Sequence, residues 1–258
     1  MPLEESIGAR YDRRMFGPEI DALYDGSDFH NVGYWAAGAR TPREACEGLV
    51  ERLLSFIPDK RGRILDVACG KGASTRLLLN HYDASSIAAI NISQMQLHRA
   101  RENAPGCALS VMDASLLGFS DASFDALLCV EAAQDFNTRE RFFYEALRVL
   151  RPGGRLVFSD ILLEDWVERR FPQRRGANFL RSPEEYRYLC RRAGFREVRL
   201  EDATADCAIG YTRYLTRYLT DRLRGGTIEH RRYNALMAYL SLTIYAVRYY
   251  VLGSALKE

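Results

Sequence analysis

A carboxylate and two glycines stand together where an apolar run ends, in the segment 64–75 (ILDVACGKGAST). The run 64–68 is too short for a helix and is typical of a strand buried on both faces. Gly70 and Gly72 lack a Cβ atom, so the backbone can turn sharply there and approach a ligand closely. Asp66 would repel a pyrophosphate, and the third glycine of the dinucleotide-binding fingerprint is missing. The segment therefore predicts a turn that binds a ligand with a positively charged group, such as an ammonium.

Composition and charge are those of an ordinary globular chain. It has 258 residues, 47% hydrophobic and 27% charged, which suits one α/β domain with a sizeable core. A net charge of +2 predicts neither nucleic-acid nor membrane partners. The six cysteines show no metal-ligand spacing, so we expect no metal site. There is no apolar signal core at the start, and the longest uncharged run, 234–247, is too short to span a membrane. We expect a soluble, cytoplasmic protein.

Further along the chain, short apolar runs alternate with helical patterns. The strands are predicted at 64–68, 86–92, 107–112, 126–130 and 155–159. This alternation predicts a parallel sheet with right-handed crossovers. Ligands of such sheets bind beyond the carboxyl ends of the strands. Asp66, Asn91, Asp113 and the segment 131–135 all fall at those ends, so we expect them to meet around one site.

Several motifs in order give the chain a family resemblance. The segment 64–75 resembles motif I of the class I S-adenosylmethionine (SAM)-dependent methyltransferases, roughly (V/I)-L-D-x-x-C/G-G-x-G. The segment 120–125 (SDASFD) resembles the family's P-x-x-D/S-F-D motif, and 150–154 (LRPGG) is among its most specific signatures. The resemblance extends from about Phe29 to the C-terminus, and within the family it is strongest to the cyclopropane synthase and tocopherol methyltransferase group. It implies SAM as the cofactor and S-adenosylhomocysteine as the product.

The resemblance also implies an architecture. We expect one domain over 1–258 with a Rossmann-like, seven-stranded and mostly parallel sheet, helices on both faces, and strand seven (249–255) antiparallel. Residues 1–40 would form an N-terminal helical lid and 41–202 the SAM-binding core. Residues 203–245 would form a helical insertion before the last strand, which lies in 246–258. The lid contains FHNVGYW at 29–35, which resembles the family's H/N-x-G-Y-W segment. The alternative interpretation of this segment is an aromatic patch that packs on the core.

Cofactor contacts follow from the matched positions. Many relatives have an acid at the end of strand two for the ribose hydroxyls, whereas this chain has Asn91. The pattern N-I-S-x-x-Q resembles the cyclopropane synthase version, which pairs a neutral side chain with a glutamine, here Gln96. Asp113 corresponds to the acid that binds the adenine amino group, although it could also be a turn residue. The implied cofactor-binding residues are Asp66, Ala68, Cys69, Gly70, Gly72, Asn91, Ile92, Gln96, Met112, Asp113, Ala114, Val130 and Glu131.

The position of the family's base holds a different residue. Relatives carry a histidine after strand four, in E-A/S-x-x-H, where it deprotonates an acceptor hydroxyl. Here that position is Asp135, preceded by Gln134. We interpret Asp135 as a base or as a residue that orients the acceptor, because Asn137 and Glu140 form a capping box that leaves Asp135 free of that role. The candidate catalytic residues are Asp135, Gln134, Glu131 and Tyr34.

We expect the acceptor to be a small, largely apolar metabolite, and the sequence leaves open whether its methylated atom is an oxygen or a carbon. A face of tyrosines in the insertion, including Tyr211, Tyr214 and Tyr218, would stabilise a carbocation formed by methyl transfer to carbon. Alternatively these helices pack on the sheet or on a second subunit, as the N-terminal helices also could. A basic stretch either binds an anionic group of the acceptor or is a solvated face; its members are Arg169, Arg170, Arg174, Arg175 and Arg181. The rival functions are a cyclase or isomerase that retains SAM, an RNA or protein methyltransferase, and a non-catalytic binding protein.

Overall fold

The computed structural model describes residues 7–170 and 178–258. Its helices are α1 (Ile7–Met15), α2 (Pro18–Leu23), α3 (Pro42–Leu54), α4 (Ala73–Leu78), α5 (Gln94–Asn103), α6 (Arg139–Val149), α7 (Asp165–Arg170), α8 (Pro183–Ala193), α9 (Gly210–Arg224) and α10 (His230–Ala246). Its strands are β1 (Ile64–Val67), β2 (Ile87–Asn91), β3 (Ala108–Val111), β4 (Phe124–Val130), β5 (Leu150–Leu163), β6 (Arg196–Asp202) and β7 (Val247–Leu256). The predicted basic stretch lies partly outside the described residues, because Arg174 and Arg175 do.

The strands form one seven-stranded sheet in the order β3-β2-β1-β4-β5-β7-β6. β1 pairs in parallel with β2 and with β4, and β4 pairs in parallel with β5. β7 is antiparallel to both β5 and β6. The order reverses at β1, so the carboxyl ends of β1 and its neighbours border a crevice. This confirms the predicted fold.

Alternation along the buried strands supplies a core on each face of the sheet. Leu65 of β1 belongs to the cluster under α6 and α8, and Ile64 belongs to the cluster under α3. Both residues are fully buried. In the first cluster the Phe143 ring of α6 lies 6.0 Å from the Phe158 ring of β5. Helices therefore cover both faces and hold the carboxyl ends of the strands in fixed positions.

Three helices begin with a side-chain N-cap. The side chains of Thr41, Ser93 and Ser182 accept hydrogen bonds from the backbone N–H three residues on, at the starts of α3, α5 and α8. The predicted capping box of Asn137 and Glu140 is wrong. Thr138 has the extended backbone of an N-cap, and its hydroxyl accepts from the Arg141 N–H, so α6 begins one residue later than the box requires.

Strand β5 is longer than the predicted 155–159, because it pairs with the antiparallel β7 as far as Leu163. Between β6 and β7, α9 and α10 form the expected helical insertion. The ring of Tyr214 stacks on Trp35 at 5.0 Å and lies 6.0 Å from Tyr218. Within the described ranges, no helix is both long enough and apolar enough to cross a membrane.

Candidate active site

A cavity opens at the carboxyl ends of β1, β2, β3 and β4. One wall is the face of α1 that carries Ile7, Tyr11 and Met15. Its lining residues are Ile7, Gly8, Tyr11, Met15, His30, Ala68, Gly70, Ile90, Asn91, Ile92, Gln96, Met112, Asp113, Ala114, Val130, Glu131, Ala132, Asp135, Phe136 and Asn137. Of the residues expected to meet around one site, Asn91, Asp113, Glu131 and Asp135 line this cavity and Asp66 does not.

The two glycines of the turn have different tasks. Both have left-handed backbone, with φ of 55° at Gly70 and 83° at Gly72. Gly70 lines the cavity, where an added Cβ would lie 3.2 Å from Cε of Met15. Gly72 lies behind it, where an added Cβ would come within 2.7 Å of Cα of Ala100 in α5. One glycine thus leaves room for the Met15 side chain of α1, and the other allows the turn to pack on α5.

Asp66 shapes the turn from behind. Its side chain is 1% exposed, and Oδ2 accepts hydrogen bonds of 2.7 Å from both the Ser74 and Thr75 hydroxyls. Burial raises the pKa of Asp66 to about 6, against the effect of these two hydrogen bonds. Asp66 is not among the cavity-lining residues. It therefore joins the end of β1 to the first turn of α4, where the sequence predicted a direct ligand contact.

At the end of β2, a chain of hydrogen bonds leads to the N-terminal helix. Asn91 donates from Nδ2 to Oε1 of Gln96 at 2.9 Å, and Gln96 donates from Nε2 to Oδ1 of Asp12 at 2.7 Å. The same Asp12 oxygen accepts from the Ser93 hydroxyl at 2.6 Å. α1 thus places a carboxylate beside the end of β2. Sequence reasoning missed Asp12, because no pattern in α1 joins it to residues so far along the chain.

Lys71, between the two glycines, ties the turn to the N-terminal segment. Its side chain is 2% exposed. The ammonium lies 2.9 Å from Oδ1 of Asp28 and 3.1 Å from Oδ1 of Asp21, and it donates to the Met15 carbonyl at 3.0 Å. Asp28 also accepts from Asn103 at 2.8 Å, and these bonds hold its pKa below the ordinary value in spite of burial. The N-terminal segment is therefore anchored to the glycine turn by Lys71.

Glu131 lines the cavity just after β4. Its backbone is left-handed, with φ of 49°. Oε1 accepts a 2.6 Å hydrogen bond from the Tyr250 hydroxyl and a 2.8 Å bond from the Val32 N–H. Burial raises the pKa of Glu131 to about 7, and the two hydrogen bonds partly oppose that rise. A carboxyl that titrates near neutral pH on a cavity wall can take up a proton there.

Asp135 also lines the cavity, but it is paired with α1. Oδ1 accepts from Arg10 at 2.9 Å and Oδ2 accepts from the Tyr11 hydroxyl at 2.6 Å. Burial, with the nearby Asp135 charge, raises the pKa of the Tyr11 hydroxyl well above its ordinary value. The preceding Gln134 turns away from this cavity; its Nε2 donates to the Glu131 carbonyl at 2.9 Å. It lines a smaller cavity beside Asn178.

Ile92 and Met112 both line the cavity, and Ile92 is 52% exposed. Asp113 also lines it, and its Oδ1 accepts from the N–H and hydroxyl of Ser115 at 2.7 and 2.6 Å. That bonding is the turn geometry which the sequence left open for Asp113. Tyr34 is not a lining residue; it packs on the core cluster under α3.

The predicted residues separate into two groups. The cavity wall contains Ala68, Gly70, Asn91, Ile92, Gln96, Met112, Asp113, Ala114, Val130, Glu131 and Asp135. Behind or away from the wall lie Asp66, Cys69, Gly72, Gln134 and Tyr34. The wall also contains residues that the sequence did not single out, above all Tyr11, Met15 and His30. All three lie in the N-terminal segment that we expected to form a lid. No pattern in the sequence indicated which residues of that segment would line the cavity.

The fold and the cavity are those of the class I SAM-dependent methyltransferases, and the chain belongs to this family. The family model for a methyltransferase domain matches residues 65–158. A relative, 27-O-demethylrifamycin SV methyltransferase of Amycolatopsis mediterranei, is 31% identical over 89% of this chain and 87% of its own length. The protein is a SAM-dependent methyltransferase.

Two solved structures share the fold. The [4+2]-cyclase SpnF superposes with a TM-score of 0.74 at 22% identity, over 97% of this chain and 95% of that one. The cyclopropane synthase MmaA2 of Mycobacterium tuberculosis superposes with a TM-score of 0.73 at 15% identity, over 98% of this chain and all of that one. At these identities the likeness concerns the fold alone.

The charge of the cavity fits SAM. Asp113, Glu131 and Asp135 line it, and the lining found among the described residues contains neither lysine nor arginine. SAM carries a sulfonium and an ammonium, which an acidic cavity favours and a basic one would repel. The residues present therefore fit the cofactor that the family uses.

Proposed function

We propose that the protein transfers the methyl group of SAM to a hydroxyl oxygen of a small, largely apolar metabolite in natural-product biosynthesis, with a carbon as the alternative acceptor atom. One observation carries the proposal: Glu131 and Asp135 line the same cavity as Gly70, Asn91 and Gln96. A proton acceptor and the residues matched to cofactor binding thus border a single space.

The cofactor half of the site is assigned from the residues on its wall. Gly70 lets the backbone approach the methionine portion of SAM, and Asp66 keeps that turn in shape. Asn91 and Gln96, held by Asp12, bind the ribose hydroxyls. Ile92, Met112 and Ala114 enclose the adenine, and Asp113 accepts from its amino group. The remaining assigned residues, Ala68, Cys69, Gly72 and Val130, shape the backbone around these contacts.

The acceptor half is assigned to Glu131. Bound SAM supplies a methyl group already activated by its sulfonium. The cavity walls hold the acceptor hydroxyl in line with that methyl, and such positioning can contribute much of the rate. As the new O–C bond forms and the S–C bond breaks, the hydroxyl proton passes to Glu131, and S-adenosylhomocysteine remains. A pKa near 7 suits this transfer, because the carboxylate form is present at neutral pH.

Oxygen is favoured over carbon because two carboxyl groups that could accept a hydroxyl proton, those of Glu131 and Asp135, line the cavity. The insertion tyrosines Tyr211, Tyr214 and Tyr218 do not line it, although Tyr11 and Phe136 do. The relative from Amycolatopsis mediterranei also carries an O-methyl position in its name. The wall is otherwise mostly aliphatic, which suits an apolar acceptor.

We also infer the organisation of the chain. It would be one methyltransferase domain, with 1–40 as the lid over the cavity, 41–202 as the core, 203–245 as the insertion and 246–258 as the last strand. The bonds of Arg10, Tyr11 and Asp12 to the cavity wall support the lid assignment. Exposed apolar side chains on α10, such as Leu242 and Tyr245, suit a homo-oligomer through the insertion.

The test is a methyl-transfer screen. Purified protein with SAM is incubated with a panel of hydroxylated apolar compounds and with matched compounds that offer only an electron-rich alkene. Mass spectrometry should show a methyl gain on hydroxylated members together with S-adenosylhomocysteine. A compound consumed while SAM stays intact would replace the proposal with a cyclase or isomerase. Methylation of RNA or protein alone, with salt-sensitive binding in the RNA case, would replace it with that class.

A further inference from the structure

The two carboxyl oxygens of Glu131 have different surroundings. Oε1 accepts from the Tyr250 hydroxyl at 2.6 Å and from the Val32 N–H at 2.8 Å. No described residue donates to Oε2, and this oxygen is not closed off from solvent in the way that a buried, unpaired atom would be. Because Glu131 lines the cavity, Oε2 is the oxygen left open to it.

Tyr250 reaches Glu131 from the antiparallel strand β7. The tyrosine is fully buried, opposite Ile161 of β5. Its N–H donates to Oγ1 of Thr204 at 2.9 Å, and its carbonyl accepts from the Ala203 N–H at 2.8 Å. The backbone of Tyr250 is therefore held from both sides, and its hydroxyl has a fixed position beside Glu131.

Ser159 of β5 determines the direction in which the Tyr250 hydroxyl donates. Ser159 is fully buried, and its side chain bonds to the Tyr250 hydroxyl. Oγ of Ser159 also accepts from the Glu131 N–H at 3.2 Å. A closed path of hydrogen bonds thus runs from the Glu131 backbone through Ser159 and Tyr250 to Oε1. Bonds in such a path polarise one another, so the path orders the carboxyl more firmly than one bond would.

The charges around Glu131 single out Tyr250. Burial raises the pKa of Glu131 to about 7, and the bond from Tyr250 is the largest effect that opposes this rise. The Val32 N–H and the Arg14 charge of α1 also oppose it, whereas the Asp160 charge of β5 adds to it. The neutral titratable side chains that face Glu131, besides Tyr250, are Tyr24, Cys46, Cys207 and Tyr211. Burial, and then the Glu131 charge, hold the pKa of Tyr250 well above its ordinary value, so the tyrosine keeps its proton.

We propose that Tyr250 is a positioning residue: by occupying Oε1 of Glu131 it reserves Oε2 for the proton of the acceptor hydroxyl, and it keeps the carboxylate available at neutral pH. This rests on the function proposed above and names the reacting oxygen and the residue that controls it. As the new O–C bond forms, the hydroxyl proton passes to Oε2, and the electron pair of the broken S–C bond stays on the sulfur of S-adenosylhomocysteine. Glu131 becomes a neutral acid, and Tyr250 retains its own proton throughout.

The experiment compares Tyr250→Phe with Tyr249→Phe. The first variant removes the hydroxyl that bonds to Glu131. The matched control is the next residue of β7, whose side chain packs on the other face of the sheet, in the cluster under α6 and α8. The carboxyl ¹³C shifts of glutamate-labelled protein without added ligand follow the titration, and Glu131→Gln assigns the signal. Tyr250→Phe should raise the Glu131 midpoint by about one pH unit, since a hydrogen bond to the charged form is lost. Tyr249→Phe should match wild type.

Catalysis should show the same shift. With SAM saturating, and with a hydroxylated compound from the screen above as acceptor, the rise of kcat/KM should move upward by the same amount in Tyr250→Phe. The plateau above it should fall by less than about tenfold, because Glu131 is still present. A purely structural role would lower the plateau without moving the midpoint. Ser159→Ala leaves the Tyr250 ring in place and should raise both midpoints by less, which gives an independent reading if Tyr250→Phe does not fold.

Two results would overturn the proposal. One is an unchanged Glu131 midpoint in Tyr250→Phe, and the other is a midpoint that moves in the titration but not in kcat/KM. The failure of the proposed function is distinct from these. Absence of methyl gain on every hydroxylated compound contradicts the function, and with it the role of Oε2, whereas methyl gain with an unmoved midpoint contradicts the role of Tyr250 alone.

Discussion

The Tyr11 hydroxyl lies 2.6 Å from Oδ2 of Asp135, so a residue of α1 is bonded to the loop that follows β4. Arg10 bonds the other oxygen of the same carboxyl at 2.9 Å. The sequence predicted Asp135, at the position of the family's histidine, as a base or as a residue that orients the acceptor. Its two hydrogen bonds also join α1 to this side of the cavity.

Removing the hydrogen bond between Tyr11 and Asp135 should increase local unfolding of α1. Tyr11→Phe deletes one hydrogen bond to a charged group, worth about 1.5–3 kcal/mol. Amide hydrogen exchange in α1 should accelerate by about tenfold or more, and turnover should fall while the core exchanges as before. Tyr188→Phe, at a residue 67% exposed, is the control. Asp135→Asn should act in the same direction. Unchanged turnover in Asp135→Asn would remove Asp135 from any role in catalysis.

Gly72 should contribute to the unfolding free energy more through its close packing on α5 than through its positive φ. Gly72→Ala places a Cβ within 2.7 Å of Cα of Ala100 in α5. We expect a loss of about 2–4 kcal/mol in unfolding free energy, from left-handed strain and overpacking together. Gly38 is a matched control, because its φ of 80° resembles the 83° of Gly72 but no atom lies within 4 Å of an added Cβ. Gly38→Ala should cost only about 1–2 kcal/mol. Equal losses in denaturant titrations would contradict the close approach.

The pH dependence of catalysis should report Glu131. Its pKa of about 7 means that the carboxylate, the form able to accept a proton, increases as the pH rises through 7. With SAM saturating, kcat/KM for the acceptor should rise below that pH and level off above it. Glu131→Gln should lower the plateau by about 10²–10⁴-fold and remove the rise. Glu140→Gln, on α6, should keep both features. A rise that persists in Glu131→Gln would assign the titrating group elsewhere.

The same raised pKa fixes the sign of a stability effect. A carboxyl whose pKa is higher in the folded state favours folding most while it is protonated. The contribution of Glu131 is thus fully present below its unfolded value of 4.5 and is lost as the pH rises through about 7. In Glu131→Gln, the unfolding free energy should therefore fall less over this interval than in wild type. A steeper fall in the variant would contradict the raised pKa.

Asp12 should influence cofactor binding through Gln96. Asp12→Asn removes the charge that accepts from Gln96 and Ser93, both under 3 Å away. Since charge-assisted hydrogen bonds are the stronger ones, S-adenosylhomocysteine affinity should fall by about tenfold. Asp59→Asn, which affects a surface pair with Arg61, should leave the affinity unchanged. Calorimetry on folded variants measures both. An unchanged S-adenosylhomocysteine affinity in Asp12→Asn would show that the contact between Asp12 and Gln96 does not contribute to cofactor binding.

The sequence predicted the sheet well, because its evidence was local. The buried run 64–68 and the glycine turn that follows it each depend only on neighbouring residues. The cavity wall was predicted where it coincides with strand ends, as at Asn91 and Glu131. It was missed where residues distant in sequence come into contact. Asp12 lies 84 positions from Gln96, and no pattern in the sequence joins them. The sequence placed Asp66 at the correct strand end. It did not show that the Asp66 side chain is buried behind the turn, because its hydrogen bonds with Ser74 and Thr75 form only when α4 folds back onto β1.

Titration calorimetry of the wild-type protein with SAM, S-adenosylhomocysteine and NAD⁺ tests the central claim most directly. An acidic cavity beside the Gly70 turn should bind the two sulfur compounds with dissociation constants on the order of micromolar, near −8 kcal/mol. It should not bind NAD⁺, whose pyrophosphate the cavity carboxylates repel. Micromolar binding of SAM and S-adenosylhomocysteine without NAD⁺ is the predicted result. Binding of neither sulfur compound would contradict the account of the site around Gly70, Asn91 and Glu131.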